Sequence, residues 1–237
     1  MNKNTGNRKT TEQYLTRYPL DNMFSFPVRR FLNVRTIPKQ GYLFRSDESV
    51  NRLYFLVEGR AKTYVLHPNG NEAILAFPGP GTIMGDMELV GSITESYMVQ
   101  AIEQCVAFEL DLLACREQVL QDSKFLLLLC RLMGNKLYYK DVHLSAVKSF
   151  DLKTKLAEFI LLTQTDGVFK EPLEQTAQYL GVSTRHLQRV LASFCTMGIL
   201  KRVRNWFSIL DQKALAGFMD NTHFSLGKDQ GFLSFIL

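Results

Sequence analysis

Apolar positions change their spacing twice along the chain. From about Arg35 to Leu112 they come as short β-branched or aromatic runs: Tyr42-Leu-Phe, Leu53-Tyr-Phe-Leu-Val, Ala61-Lys-Thr-Tyr-Val-Leu, Ala73-Ile-Leu-Ala-Phe, Tyr97-Met-Val-Gln-Ala and Val106-Ala-Phe-Glu-Leu. Gly41, Gly59, Asn69-Gly70 and Pro78-Gly-Pro-Gly81 separate them. Runs of this length between turn residues predict strands. Asn69-Gly70 marks a hairpin, because a type I′ turn needs positive φ at both central residues. Closely spaced hairpins predict an antiparallel roll.

From about Leu112 to Lys148 the period becomes helical. Phe125, Leu128, Leu129, Leu132 and Met133, then Leu137, Leu144 and Val147, form one proline-free stripe. Such a helix either packs on its own roll or pairs with a second copy of itself. Pairing is the favoured expectation, since the stripe runs past what a small roll could cover. A third region opens at Asp151, an N-cap residue type. Leu152, Leu156, Phe159, Ile160 and Leu161 give it an apolar face before Thr165-Asp-Gly167 breaks the helix. The expected class is α+β. The expected parts are an N-terminal arm or helix (1–30), a β-roll (31–112), a linker and long helix (113–148), a winged helix-turn-helix (149–218) and a tail (219–237), unexpectedly apolar for a terminus.

Within the third region, the stretch from Leu173 to Phe194 has the pattern of a helix-turn-helix. Pro172 opens the first helix, where its missing N–H costs nothing. Ala177 is small enough for two helices to cross closely. Gly181 suits the left-handed end of the first helix, and Ser183 the N-cap of the second. Leu187, Val190 and Leu191 form the buried face, which turns Thr184, Arg185, Gln188 and Arg189 outward. These side chains suit a major groove: Arg bridges guanine O6 and N7, Gln pairs with adenine, and Thr touches a phosphate or the thymine methyl. His186 sits at the edge, for phosphate contact or packing. Beyond Gly198, Lys201, Arg202 and Arg204 lead into Trp206-Phe-Ser-Ile-Leu, a hairpin wing whose charges meet the DNA backbone. Thr176 stands where the first helix usually carries an aliphatic residue.

Charge strengthens this picture through its placement. The chain of 237 residues carries a formal net charge of +5, a weak preference for polyanions. Between Gly181 and Arg204, however, five Arg and Lys residues occur with no Asp or Glu, the footprint of phosphate contact. Hydrophobic residues are 46%, enough for a real core. No apolar run approaches the roughly 20 residues of a membrane span. The polar N-terminus lacks the apolar stretch of a secretory signal, so a cytoplasmic protein is expected. Enzyme signatures are missing: Gly79-Pro-Gly-Thr-Ile-Met-Gly lacks the Lys-Ser/Thr of a P-loop, and there is no G-x-S-x-G or H-E-x-x-H. No catalytic residue and no metal site is expected. The rival reading is a ligand- or redox-sensing interaction module whose helix-turn-helix does not read DNA.

Together, the roll, the long helix and the C-terminal winged helix-turn-helix resemble the CRP/FNR family of bacterial regulators from about Phe31 to Leu210. Val57-Glu-Gly-Arg-Ala-Lys, Val99-Gln-Ala-Ile-Glu-Gln-Cys105 and Tyr179-Leu-Gly-Val-Ser-Thr-Arg-His-Leu bring it nearest the YeiL-like subgroup. The resemblance implies a cyclic-nucleotide-binding-like jelly roll, a homodimer along the long helix, a two-fold-symmetric DNA site with half-sites roughly 34–36 Å apart, and contact with RNA polymerase. It also places a candidate effector pocket at Gly85, Asp86, Glu88, Glu95 and Ser96. Glu95 stands where cyclic-AMP-binding members carry a phosphate-neutralising arginine. A carboxylate there repels the phosphate and removes a bidentate contact, so the effector is expected to be some other small molecule or none. Oxygen-sensing members hold an iron–sulfur cluster on N-terminal cysteines, and no cysteine here precedes Cys105. Cys105 and Cys115 are redox candidates or buried small hydrophobes, the latter favoured because an activated thiolate needs a neighbouring cation or helix terminus; Arg116 is the nearest cation in sequence. Haem ligation by His67 or His143 is not favoured, and no cofactor is expected.

Overall fold

The computed structural model of the chain describes the backbone of residues 5–45, 51–67, 70, 72–91 and 97–219. The expectations for Asn69, Glu95, Ser96 and the tail from Asn221 lie outside the described residues, as do the side chains of His143, Leu144 and Val147. The first part of the chain runs α1 (Thr5–Arg17), two 3₁₀ turns (Leu20–Met23, Val28–Phe31), β1 (Leu32–Ile37), β2 (Tyr42–Phe44), β3 (Arg52–Glu58), β4 (Ala61–Leu66) and β5 (Glu72–Ala76). It continues through β6 (Ile83–Met84), α2 (Asp86–Val90), β7 (Met98–Ala101), β8 (Cys105–Asp111), α3 (Leu112–Gln121) and α4 (Ser123–Ser149). The last part holds α5 (Leu152–Thr163), β9 (Val168–Phe169), α6 (Leu173–Tyr179), α7 (Thr184–Thr196), β10 (Leu200–Val203), β11 (Trp206–Ile209) and α8 (Gln212–Gly217). The class is α+β, with two sheets ordered β1-β8-β3-β6 and β2-β7-β4-β5 and a third, β10-β11-β9. Two compact units divide the described residues: those up to 63 with 78–137, and 64–77 with 138–219.

In the first unit, strand alternation serves two cores. On β8, Val106, Phe108 and Leu110 face outward from the roll and join Phe55, Val28, Phe24 and Leu15 in one buried cluster. Cys105 and Ala107 face the other way and join Tyr54, Leu56, Met84 and Val99 inside the roll. The side-chain period of two in a strand dictates this split. The antiparallel register Leu32↔Leu110 and Tyr54↔Glu109 keeps the strands in step.

The long helix departs from expectation in what covers it. Phe125, Leu128, Leu129 and Leu132 belong to the outer cluster of the roll's own unit, so the first half of the stripe is not free to pair. The N-terminal segment supplies the extra cover: Phe24 stacks on Phe125 at 4.5 Å between ring centroids. Asp122, buried, accepts from the backbone N–H groups of Lys124 and Phe125 and from Ser25, capping α4 and tying that segment down. A different face of α4 is exposed, with Leu127 at 55% and Leu137 at 62% relative exposure.

In the second unit, α5 starts on Asp151, whose carboxylate accepts from Thr154 N at 2.9 Å. That hydrogen bond is the main cause holding the Asp151 carboxyl below its usual range. Phe159 of α5 meets Phe77, Phe169 and Tyr179 in one aromatic group. Beside it, Gln175 Nε2 donates to Glu72 Oε2 at 2.8 Å.

Candidate nucleic-acid interface

Helix α6 ends because the chain turns left-handed at Gly181 (φ +68°). Val182 N then donates to Ala177 O and Gly181 N to Gln178 O, the paired bonds that close a Schellman end. α7 ends the same way at Gly198 (φ +74°), with Ile199 N donating to Phe194 O. Ser183 caps α7, accepting from His186 N through its hydroxyl. Pro172 is the residue just before α6, and Ala177 is buried at the helix crossing. Thr176 is fully buried, and its hydroxyl donates to Pro172 O at 2.9 Å. The polar residue in an aliphatic place is therefore satisfied within its own helix.

Leu187, Val190, Leu191 and Phe194 form the buried face of α7. Ser183, Arg185, His186, Gln188 and Arg189 are exposed, and Thr184 is half-buried. Lys201, Arg202 and Arg204 are exposed on the β10–β11 hairpin. Among the described residues, no carboxylate pairs with any of these five Arg and Lys side chains. An exposed basic set without internal counter-charge keeps its full attraction for phosphate. The hairpin loop is two residues long, Arg204 and Asn205, between the pair Val203↔Trp206. Arg204 holds φ +54°, a left-handed conformation that costs a non-glycine residue about 1–2 kcal/mol. Lys170, outside the sequence reading, lies 5.2 Å from the centroid of the Trp206 ring and adds a cation to the wing.

At the candidate effector pocket, Gly85 precedes α2, and Asp86 is buried at its first position. Lys136, reaching over from α4, donates to Asp86 Oδ2 at 2.6 Å and to Ile83 O at 2.8 Å. Glu88 stands close enough to feel both charges; burial raises its pKa, Asp86 adds to the rise and Lys136 opposes it. The sequence reading found Gly85, Asp86 and Glu88 but missed Lys136, since nothing in the helical stripe marks one lysine as turned toward a carboxylate 50 residues away in sequence.

The redox candidates are buried thiols. Burial pushes both Cys105 and Cys115 up to about 11, with Glu103 and Asp111 adding to the effect. Their S–H groups donate to the carbonyls of Arg60 and Asp111. The cation acting on Cys115 is Arg30, whereas Arg116 donates to Leu89 O. His67 is exposed. Among the described residues, no three His, Cys, Asp or Glu side chains converge in the manner of a metal site, and no helix is long and apolar enough to cross a membrane.

Comparison with known proteins places this geometry. Residues 34–122 match the cyclic nucleotide-binding domain family, and residues 154–218 match the Crp-like helix-turn-helix domain family. The chain is 36% identical to the regulatory protein YeiL of Escherichia coli O157:H7 over 176 residues, covering 74% of this chain and 80% of that protein. It is 25% identical to the anaerobic regulatory protein of Haemophilus influenzae, covering 76% of this chain and 74% of that one. Among solved structures, a CRP-family transcriptional regulator of Thermus thermophilus superposes with a TM-score of 0.60 at 18% identity, covering 81% of this chain and 98% of that one.

Proposed function

Because the chain belongs to the CRP/FNR family of transcription regulators, with a DNA-binding helix-turn-helix and no enzymatic role, we propose that it works as a homodimer reading a two-fold-symmetric site through α7. The observation that carries this reading is the set of exposed, uncompensated cations flanking a capped helix whose other face is buried. Arg185, Gln188 and Arg189 meet base edges; Ser183, Thr184 and His186 lie at the helix start beside the phosphates; Lys201 and Arg202 hold the backbone from the wing, and Arg204 meets the DNA at its tip. Pairing runs along the exposed face of α4, where Leu127, Cys130, Gly134, Leu137 and Asp141 follow the alternating three-and-four spacing of a coiled-coil seam. RNA polymerase in the cytoplasm is the further partner. The effector, if any, is read as something other than cyclic AMP, because the sequence carries Glu95 where cyclic-AMP-binding members carry a phosphate-neutralising arginine, and Asp86 already holds the Lys136 ammonium.

Selection of binding sites from random duplexes, followed by titration at several salt concentrations, tests this. A palindromic site should emerge, with affinity falling steeply as salt rises through counterion release. Arg185→Ala and Arg189→Ala should each weaken that site by about tenfold or more, the scale of a lost bidentate base contact. Unchanged affinity in the double variant would leave the chain an interaction module.

A further inference from the structure

We propose that Arg204 at the wing tip enters the minor groove beside each half-site and gives the protein a preference for A·T-rich flanks. The inference rests on the DNA-reading role of α7 and adds a second reading residue to it. Its starting point is the backbone. In a two-residue hairpin loop the left-handed position is normally given to glycine or asparagine; here it holds Arg204, with asparagine one place later at 205. The hairpin requires the positive φ but not an arginine, so the choice of a residue that is strained there points to a role outside the fold.

Among the described residues, none holds the Arg204 side chain in a hydrogen bond or ion pair. It is exposed, and no carboxylate among the described residues pairs with it. Only its carbonyl is engaged, accepting from Arg202 Nε at 3.4 Å, which braces the tip. A phosphate contact needs charge but no such strain, and Lys201 and Arg202 supply that charge from ordinary strand backbone. What the left-handed tip adds is direction. Leu200 is buried at the base of the hairpin, and four strand residues reach about 13 Å at roughly 3.3 Å each. That is comparable with half of the roughly 34 Å helical turn separating a major groove from its neighbouring minor groove. A narrow A·T-rich minor groove concentrates negative potential and attracts an inserted arginine, whose guanidinium sheds water more readily than an ammonium does.

The test uses the full-length protein on duplexes sharing one selected core and differing only in A-tract or G·C flanks. The wild type should favour the A-tract duplex by about tenfold, the scale of one good groove contact. Arg204→Asn, which accepts the left-handed φ, should reduce that gap to under about twofold while keeping core discrimination and an equal or higher melting temperature. Arg204→Lys should keep the salt slope and lose most of the flank preference. Equal wild-type affinity for the two flanks overturns the proposal. So does an Arg204→Asn variant that weakens both duplexes alike and lowers the salt slope by about one, the mark of a phosphate contact; that result leaves the α7 reading intact. Failure to select any core overturns both.

Discussion

Lys136 Nζ lies 2.6 Å from Asp86 Oδ2, joining the middle of α4 to the first residue of α2. The Asp86 side chain is 4% exposed and the Lys136 side chain 31%, so the pair is sheltered on one side only. Removing the ammonium leaves a buried carboxylate without compensation. Lys136→Met should destabilise the protein by about 2 kcal/mol, below the full cost of a wholly buried pair because water still reaches the lysine. Asp86→Asn in that background should recover most of the loss. Urea unfolding of the four proteins in a double-mutant cycle measures the coupling, and additive effects would deny that the contact holds α4 to the roll.

Tyr54 gives the roll an alkaline limit. Its hydroxyl donates to Glu109 Oε2 at 2.7 Å, while Arg35 and Arg52 approach the same carboxylate. Burial first, then the hydrogen bond to Glu109, raise its pKa from 10.0 to about 12. A folded pKa above the unfolded one means stability fully present below pH 10 and lost as pH climbs from about 10 to about 12. The loss should reach about 2 kcal/mol. Chemical denaturation across that range reads it, and Tyr54→Phe should flatten the dependence.

Gly134 offers a test of the proposed pairing along α4. It lies within α4, where glycine costs about 1 kcal/mol against alanine. Among the described residues, a Cβ added there meets nothing within 4 Å beyond the neighbouring backbone of its own helix, so the described packing of one copy does not require it. Gly134→Ala should therefore stabilise an isolated chain while weakening pairing, if a second helix passes close at this point. Sedimentation equilibrium together with thermal melting would show the two effects with opposite signs. Tighter association in the variant would move the pairing surface elsewhere.

Cys105 and Cys115 should resist iodoacetamide at pH 8 in the native protein, because both thiols remain protonated and buried. Peptide mass spectrometry should find them labelled only after denaturation. Labelling within minutes under native conditions would restore either one as a redox candidate.

Much of the reader is legible in the sequence because its signals are local. Gly181, Ser183 and the apolar triad Leu187, Val190 and Leu191 act within one or two helical turns, and each takes its expected place. Leu32–Ile37 carries no comparable strand signal. Leu32 and Val34 alternate with Asn33 and Arg35, but Thr36 interrupts the period after four residues, and pairing with Cys105–Asp111 carries the strand on to Ile37. Glu109, one residue of an ordinary strand run in the sequence, is a buried carboxylate between Tyr54 and two arginines, a grouping that three separate strands bring together.

Hydrophobic period, capping chemistry and charge placement are properties of neighbouring residues, so residue order alone specifies the α+β class, the helix-turn-helix and its outward basic face. Three features needed the folded chain: which half of the α4 stripe its own roll uses, the hold of Lys136 on Asp86, and the left-handed Arg204 at the wing tip. Those depend on which surfaces compete for the same side chains, and on a backbone angle that residue type alone would have argued against.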